Sequence, residues 1–245
     1  MVLRIQNPNS PQVKYTPNTE ETLIKFRNYA AKLGDKKILY KEFQNEAELL
    51  GITTGKYVRV EFPFFFKAGI INDYSYISKD LFTNLGNAYC KTIENILLLK
   101  NAPYSEQKDA MLQKSYETRQ YILRTTVLNM TKTIDCKYGQ VLKRVLNYLV
   151  NFNSINETEF ALILDQMKIV PTIPISETKE IITKYRENPS TLKFQVEKKT
   201  KETGKIDLVD STNCYSYYIG ILEEAGFVIT ENGRSFLNQK IKQQI

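Results

Sequence analysis

Apolar residues recur at three- and four-residue intervals along most of this chain, and glycines interrupt the recurrence. In "NTEETLIKFRNYAAKLG" the spacing of Leu23, Phe26 and Ala30 predicts a helix begun at Thr19 and stopped by Gly34. "ILYKEFQNEAELLGI" follows, with Phe43, Ala47 and Leu50 on one face and Gly51 as the stop. In "TTGKYVRVEFPFFFKAGII" Pro63 stands where a helix would begin, and the apolar residues continue to Gly69. "NDYSYIS" then reads as a turn into a short strand, and "LFTNLGNAYCKTIENILLLK" as strand end, turn and helix. Three helices followed by a short β-ribbon form a winged-helix pattern.

The pattern restarts after residue 138. Val141, Leu142, Val145, Leu146 and Leu149 form the apolar stripe of one helix. A second, in "SINETEFALILDQM", is capped by Ser154 or Asn156, and a third runs from Ser176 to near Pro189. "LKFQVEKKTKETGKIDLVD" is a charged excursion, part strand and part loop. "DSTNCYSYYIGILEEAGF" predicts a second long apolar-aromatic helix, and "VITENGRSFLNQKI" its wing, with Asn-Gly as the hairpin turn. Between the halves, "YSEQKDAMLQKSYETRQYILRTTVLNM" reads as helical. It is either a semi-rigid connector or a solvated helix packed against one half. The expected fold is mainly α with short β-ribbons (α+β): winged-helix-like subdomains at 1–100 and 139–245, joined by a helical linker at 101–138.

The two halves share a local signature. "FFFKAGIIND" and "ILEEAGFVIT" both end a helix on Ala-Gly before an apolar strand. Small Ala68 and Ala225 let the strand pack close. Gly69 and Gly226 are expected in the left-handed conformation that terminates a helix and reverses the chain.

Composition narrows the chemistry. The chain contains no histidine, which removes imidazole general bases, Ser-His-Asp triads and histidine zinc sites. Three separated cysteines, Cys90, Cys136 and Cys214, suit reduced thiols better than a disulfide framework and cannot complete a Cys₄ site. Whatever chemistry occurs must use carboxylates, Lys or Tyr, so a binding module is favoured over an enzyme. A net charge of +7 favours polyanionic partners, although basic composition alone also produces it. No apolar run reaches the roughly 18–20 residues of a membrane span, and the first residues lack a secretory h-region. A bacterial cytoplasmic protein is expected.

The helix, Ala/Leu-Gly-apolar-apolar, short wing and "T-x-x-G-x-A-Y" arrangement resembles the recognition region of FokI-type type IIS restriction endonucleases and their nicking relatives. "FFFKAGIIND" with "LFTNLGNAYCK" matches the end of the first subdomain of such a region. "SINETEFALIL", "EIITKYREN" and "YSYYIGILEEAGFVIT" match the second. The resemblance implies tandem winged-helix subdomains that read double-stranded DNA. Family members continue into a nuclease domain with a P-D…(D/E)-x-K site that binds divalent metal. Here the chain stops at "NQKIKQQI", so the resemblance implies a recognition part whose cleavage chemistry, and Mg²⁺, belong to a separate nuclease domain or subunit. No cofactor or metal site is expected in this chain.

For such a reader, the first turns of the two long helices carry the candidate base contacts. These are Thr53, Thr54, Lys56, Tyr57 and Arg59 in the first half. In the second they are Ser211, Thr212, Asn213, Tyr215 and Ser216, where Ser211 or Thr212 serves equally as a simple N-cap. Arg59 suits guanine O6 and N7, and Asn213 suits adenine N6 and N7. Candidate phosphate contacts are Lys79, Arg119, Arg124, Lys132, Lys198, Lys199, Lys201, Lys205 and Arg234. "EKKTKETGK" is either a basic loop that orders on DNA or a soluble hairpin tip. Phe62, Phe64, Phe65, Phe66, Tyr217 and Tyr218 are expected in the core.

Two other readings remain. One is a plasmid replication initiator or transcription regulator with paired winged helices. The other is a self-contained Mg²⁺-dependent nuclease, because Glu197 and Lys199 stand at E-x-K spacing on one face of an expected strand. That site needs an upstream carboxylate to share the metal. Asp165 lies beyond a helix, and Asp135 with Lys137 has no evident partner.

Overall fold

A computed structural model describes residues 1–6, 13–133, 135–169, 175–199, 206–209 and 213–245. The protein is mostly helical, with a few short strands in small sheets, an α+β class. It divides into two compact units, one of residues 11–136 and the other of 1–10 with 137–245. This division differs from the boundaries at 100 and 138, and the cause lies at two elements. Strand β1 (Val2–Gln6) pairs in parallel with a strand of the second unit. The long helix read as a connector packs in the first unit.

The first unit opens with α1 (Pro17–Lys32), two residues before the expected Thr19 start. Thr16 is the N-cap, its backbone N–H bonded to Thr19 Oγ1 at 3.2 Å, and Pro17 presets the first turn. Short β2 (Ile38–Leu39) leads into α2 (Tyr40–Glu46) and then α3 (Gly55–Lys67). Strand β3 (Tyr76–Ile77) pairs antiparallel with β2, and a bridge joins Ile71 to Phe82. Two long helices follow, α4 (Asn84–Asn101) and α5 (Glu106–Lys132).

Helix α3 starts eight residues before Pro63, which sits inside it. An internal proline costs about 3 kcal/mol, and burial of Val58, Phe62, Phe64 and Phe65 along the helix opposes that cost. Phe26, Phe43 and Phe62, from α1, α2 and α3, meet at ring-centroid distances of 4.8–5.7 Å and form the heart of this core. Leu50 and Phe66 depart from expectation at 46% and 41% exposed. Helix α2 ends before Leu50 can join its inner face. The helical angle at Phe66 turns it outward, where it packs edge-on against Tyr74 at 5.7 Å.

In the second unit α6 (Lys137–Phe152) buries its expected stripe from Val141 to Leu149. Strand β4 (Ser154–Ile155) and α7 (Glu157–Ile169) follow. Asn156 is the cap of α7: its Oδ1 accepts from the Glu159 N–H at 2.9 Å, and Glu159 Oε2 accepts from the Asn156 N–H at 3.0 Å. Helix α8 (Ile175–Glu187) and the strands β5 (Lys193–Lys199) and β6 (Ile206–Val209) come next. They precede α9 (Asn213–Glu224), β7 (Val228–Glu231) and β8 (Arg234–Leu237). One sheet has the order β4-β8-β7 and the other β1-β5-β6. The expected Asn-Gly turn joins β7 to β8, with Asn232 at φ 50° and Gly233 at φ 74°.

Helix, strand, helix, helix and then two strands, with the first strand beside the last, is the connectivity of a winged helix. The second unit follows it as α6-β4-α7-α9-β7-β8, with α8, β5 and β6 inserted before α9. The first follows it as α1-β2-α2-α3, with the segments around Ile71 and from Tyr76 to Phe82 as the ribbon.

Candidate nucleic-acid interface

The geometry begins where α3 and α9 end, because that junction aims each helix. Gly69 and Gly226 adopt φ 71° and 74°. After α3, the Gly69 N–H bonds to the Phe66 carbonyl at 3.0 Å and the Ile70 N–H to Phe65 at 2.9 Å. After α9, Gly226 bonds to Glu223 at 2.9 Å and Phe227 to Leu222 at 2.8 Å. Both are the left-handed closure that satisfies the last helical carbonyls.

A second tie repeats without a repeated sequence. The Thr83 N–H donates to the Ile70 carbonyl at 3.1 Å, and its hydroxyl donates to Gly69 at 2.7 Å. In the other unit the Asn238 N–H donates to Phe227 at 2.9 Å, and its amide to Gly226 at 3.0 Å. Thr83 and Asn238 also cap the helical turns that follow them. Gly86 completes the first copy, since a Cβ there would lie 2.0 Å from the Ile70 carbonyl oxygen.

At its start, α3 presents an exposed polar turn. Gly55 lets α2 and α3 approach, because a Cβ would lie 2.7 Å from the Gln44 carbonyl oxygen. Thr54 is the N-cap by its backbone, while its exposed hydroxyl makes no capping bond. Thr53 is half-buried, with its N–H on Ala47 at 3.3 Å. Lys56, Tyr57 and Arg59 are exposed on the first two turns. Behind them the Tyr40 hydroxyl donates to the Val58 carbonyl at 3.2 Å. Burial, with Tyr74 beside it, pushes the Tyr40 phenol up to about 12, and the positive charge of Arg59 opposes that rise. Tyr40 is a neighbour of the candidate surface that the sequence reading missed; its place at the start of α2 carries no signal of contact with α3.

The second unit divides its expected residues differently. Ser216 is exposed on α9, whereas Tyr215 is half-buried and bonds through its hydroxyl to the Ile155 carbonyl and Ser235 Oγ, both at 3.1 Å. Tyr215 therefore anchors α9 to β4 and β8. Tyr218 is core as expected, and Tyr217 is only half-buried on the outward side. Asn213 is the first residue of α9; its side chain, like those of Lys198 and Lys199 on β5, lies outside the described residues. So do Lys201, Lys205, Ser211 and Thr212.

Two expected phosphate contacts have internal duties. Arg119, its side chain 11% exposed, donates from Nε to buried Glu20 at 2.7 Å and ties α5 to α1. Tyr89 also donates to Glu20, and the Tyr15 and Tyr89 hydroxyls lie 2.6 Å apart. Arg234 donates from Nη1 to both oxygens of fully buried Glu159, each at 3.2 Å, and Arg186 from α8 bonds to the same carboxylate at 2.8 Å. A buried carboxylate needs such partners, so both guanidinium groups are committed inward. Arg124 is half-buried, bonds to Gln120 at 3.4 Å and has its pKa lowered by burial. Lys132 is exposed in the last turn of α5. Lys79 makes a surface pair with Asp35 at 2.6 Å, weak enough to exchange for a phosphate.

Glu197 is half-buried on β5, opposite Gln6 and Leu208, on the sheet face away from buried Leu3, Ile5 and Val196. Among the described residues no three Cys, Asp or Glu side chains gather as metal ligands. No described helix is long and apolar enough to cross a membrane.

A further residue was overlooked. Glu61 on α3 is 7% exposed, its Oε2 has no hydrogen-bond partner among the described residues, and burial pushes its pKa up to about 7. Its spacing from Val58 and Phe65 was the available signal.

No protein-family model, curated protein or solved structure matches the chain.

Proposed function

We propose that the protein reads a specific sequence in double-stranded DNA with α3 and α9, as the recognition part of a type II, type IIS-like restriction endonuclease. Cleavage and its Mg²⁺ then belong to a separate nuclease domain or subunit. The observation that carries DNA reading is the start of α3, where Thr54, Lys56, Tyr57 and Arg59 stand exposed on the first turns of a helix that Gly55 brings close to the α2 backbone. Such a turn offers unpaired N–H groups to phosphates and polar side chains to base edges. The repeated closure after α3 and α9 supports a reader with two such helices. The restriction assignment is carried by the sequence resemblance alone.

Arg59 is the base-reading residue of this proposal, and Lys56 and Lys79 contact phosphates. Selection of duplexes from a random pool, followed by anisotropy titrations, tests it. Arg59→Ala is expected to cost about 1–3 kcal/mol on the selected site and much less on random duplex. An equal loss on both would make Arg59 a backbone contact. The footprint separates the readings: a restriction reader of this kind protects one asymmetric site, and a palindromic footprint would favour the dimeric initiator or regulator. Nicking of plasmid in Mg²⁺ that disappears in Glu197→Ala would replace the proposal with the self-contained nuclease.

A further inference from the structure

The ribbon side of α3 carries aromatic rings that the first unit leaves at its surface. Tyr74, just before β3, stands edge-on to Tyr40 at 5.1 Å and to Phe66 at 5.7 Å. Phe62 lies behind the two tyrosines at 5.5 Å and 5.8 Å. Phe62 is buried, Tyr40 and Tyr74 are half-buried, and Phe66 is exposed. Two residues on from Tyr74, Tyr76 is 52% exposed on β3, opposite exposed Leu39 on β2. Single exposed apolar side chains are ordinary. A connected row of them marks contact with something outside the chain.

Cations flank the row. Arg59 and Phe66 stand seven residues apart on α3, on one side of the helix and about 10 Å from each other along it. At one end the charge of Arg59 acts on the Tyr40 phenol. At the other, Lys67 holds Nζ 5.8 Å from the centre of the Phe66 ring. Neither cation has an ion pair among the described residues. Asp73 also lies beside Tyr74. Its carboxylate accepts from the Ser75 N–H at 3.1 Å and the Ser75 hydroxyl at 3.0 Å, and its charge is outweighed by Arg59 and Lys67.

These features select the occupant. An intact duplex keeps its base faces stacked on one another, so it has none to lay on exposed rings. The core of a protein–protein contact is poor in charge, whereas unpaired cations stand at both ends of this row. Rings interleaved with cations suit unpaired bases, whose faces stack on the rings while their phosphates meet the cations. We infer that Phe66, Tyr74 and Tyr76 form a stacking platform for the unpaired bases of a nucleic-acid strand, with Arg59 and Lys67 drawing in its backbone. This goes beyond duplex reading and shares only Arg59 with it.

Anisotropy titrations of the full chain test it, with thymidylate, uridylate and abasic strands of about 20 nucleotides. A base-bearing strand should bind about tenfold or more tightly than the abasic one, and the preferred base-bearing strand tells DNA from RNA. Phe66→Leu keeps an apolar contact on Tyr74 without a ring. It should weaken the base-bearing strand about tenfold and leave abasic binding unchanged. Tyr76→Thr, at an exposed strand position, should do the same, and it decides the matter if Phe66→Leu lowers the melting temperature. Equal affinity for abasic and base-bearing strands overturns the platform, because charge alone then binds. Variants that bind like the wild type overturn it too. So does absent strand binding with an altered sedimentation state in Phe66→Leu, which assigns the row to a protein partner. A selected duplex without single-strand binding removes the platform and leaves duplex reading; single-strand binding without a selected duplex does the reverse.

Discussion

At the scale of single residues, the same side chain serves opposite purposes according to what faces it. Arg59 stands exposed on α3, while Arg119 and Arg234 are turned onto buried carboxylates. A guanidinium fork matches phosphate and carboxylate alike, so identity alone did not separate these three. Glu61 presents the reverse case, a carboxyl in an apolar setting. Its native pKa is near 7 against an ordinary value of 4.5. Between those values the folded protein keeps a proton that the unfolded chain has released. Stability from this group is therefore full below pH 4.5, falls as pH rises through 7 and is level above it. A displacement of this size corresponds to roughly 3 kcal/mol. Urea titrations from pH 4 to 8 should show that fall in the wild type and its absence in Glu61→Gln. Parallel curves for the two proteins would assign the pH dependence to other groups.

Among elements, the feature that repeats most closely between the two units is a helix end. Ala-Gly closes α3 and α9, and a polar residue 12 or 14 positions on from the glycine returns to its carbonyl, Asn238 to Gly226 and Thr83 to Gly69. The ribbon is thereby pinned under the helix it follows. In the first unit the next helix is pinned as well, because Gly86 abuts Ile70. A helical Gly→Ala change ordinarily stabilises by about 1 kcal/mol. Gly86→Ala is expected to destabilise by about 1–3 kcal/mol, since its methyl overlaps backbone that must move. Urea unfolding of this variant measures the balance, and a gain in stability would mean that α4 is not held where the contact places it.

Across the whole molecule, two units of similar connectivity divide the chain, and the second draws in a strand from the far end of the sequence. In β1, Leu3 and Ile5 are buried, and the strand packs on α7 and pairs with β5. Removing residues 1–6 should speed amide exchange in β5 and α7 while leaving α1 to α4 protected. Exchange that rises equally in α1 to α4 would show that β1 supports both units. Helix α5 illustrates the same scale. It buries Ile122, Leu123, Thr126, Val127 and Met130, and Arg119 locks it to α1, so it belongs to the first unit. Of its two sequence readings, the packed helix is the observed one.

Helical periodicity, the glycine stops and the Asn-Gly turn were determined by the sequence alone, because each depends on the conformational preferences of a few adjacent residues. The two Ala-Gly helix ends belong with them. Tertiary structure decided what depends on partners distant in the chain: β1 beside β5, α5 against α1, and Arg119 and Arg234 on buried carboxylates. It also decided that α3 runs through Pro63, where burial of aromatic rings outweighs the local cost of proline. Exposure of Thr54, Lys56, Tyr57 and Arg59 was legible in the pattern, whereas the half-burial of Tyr215 against β4 and β8 required those distant strands to be in place.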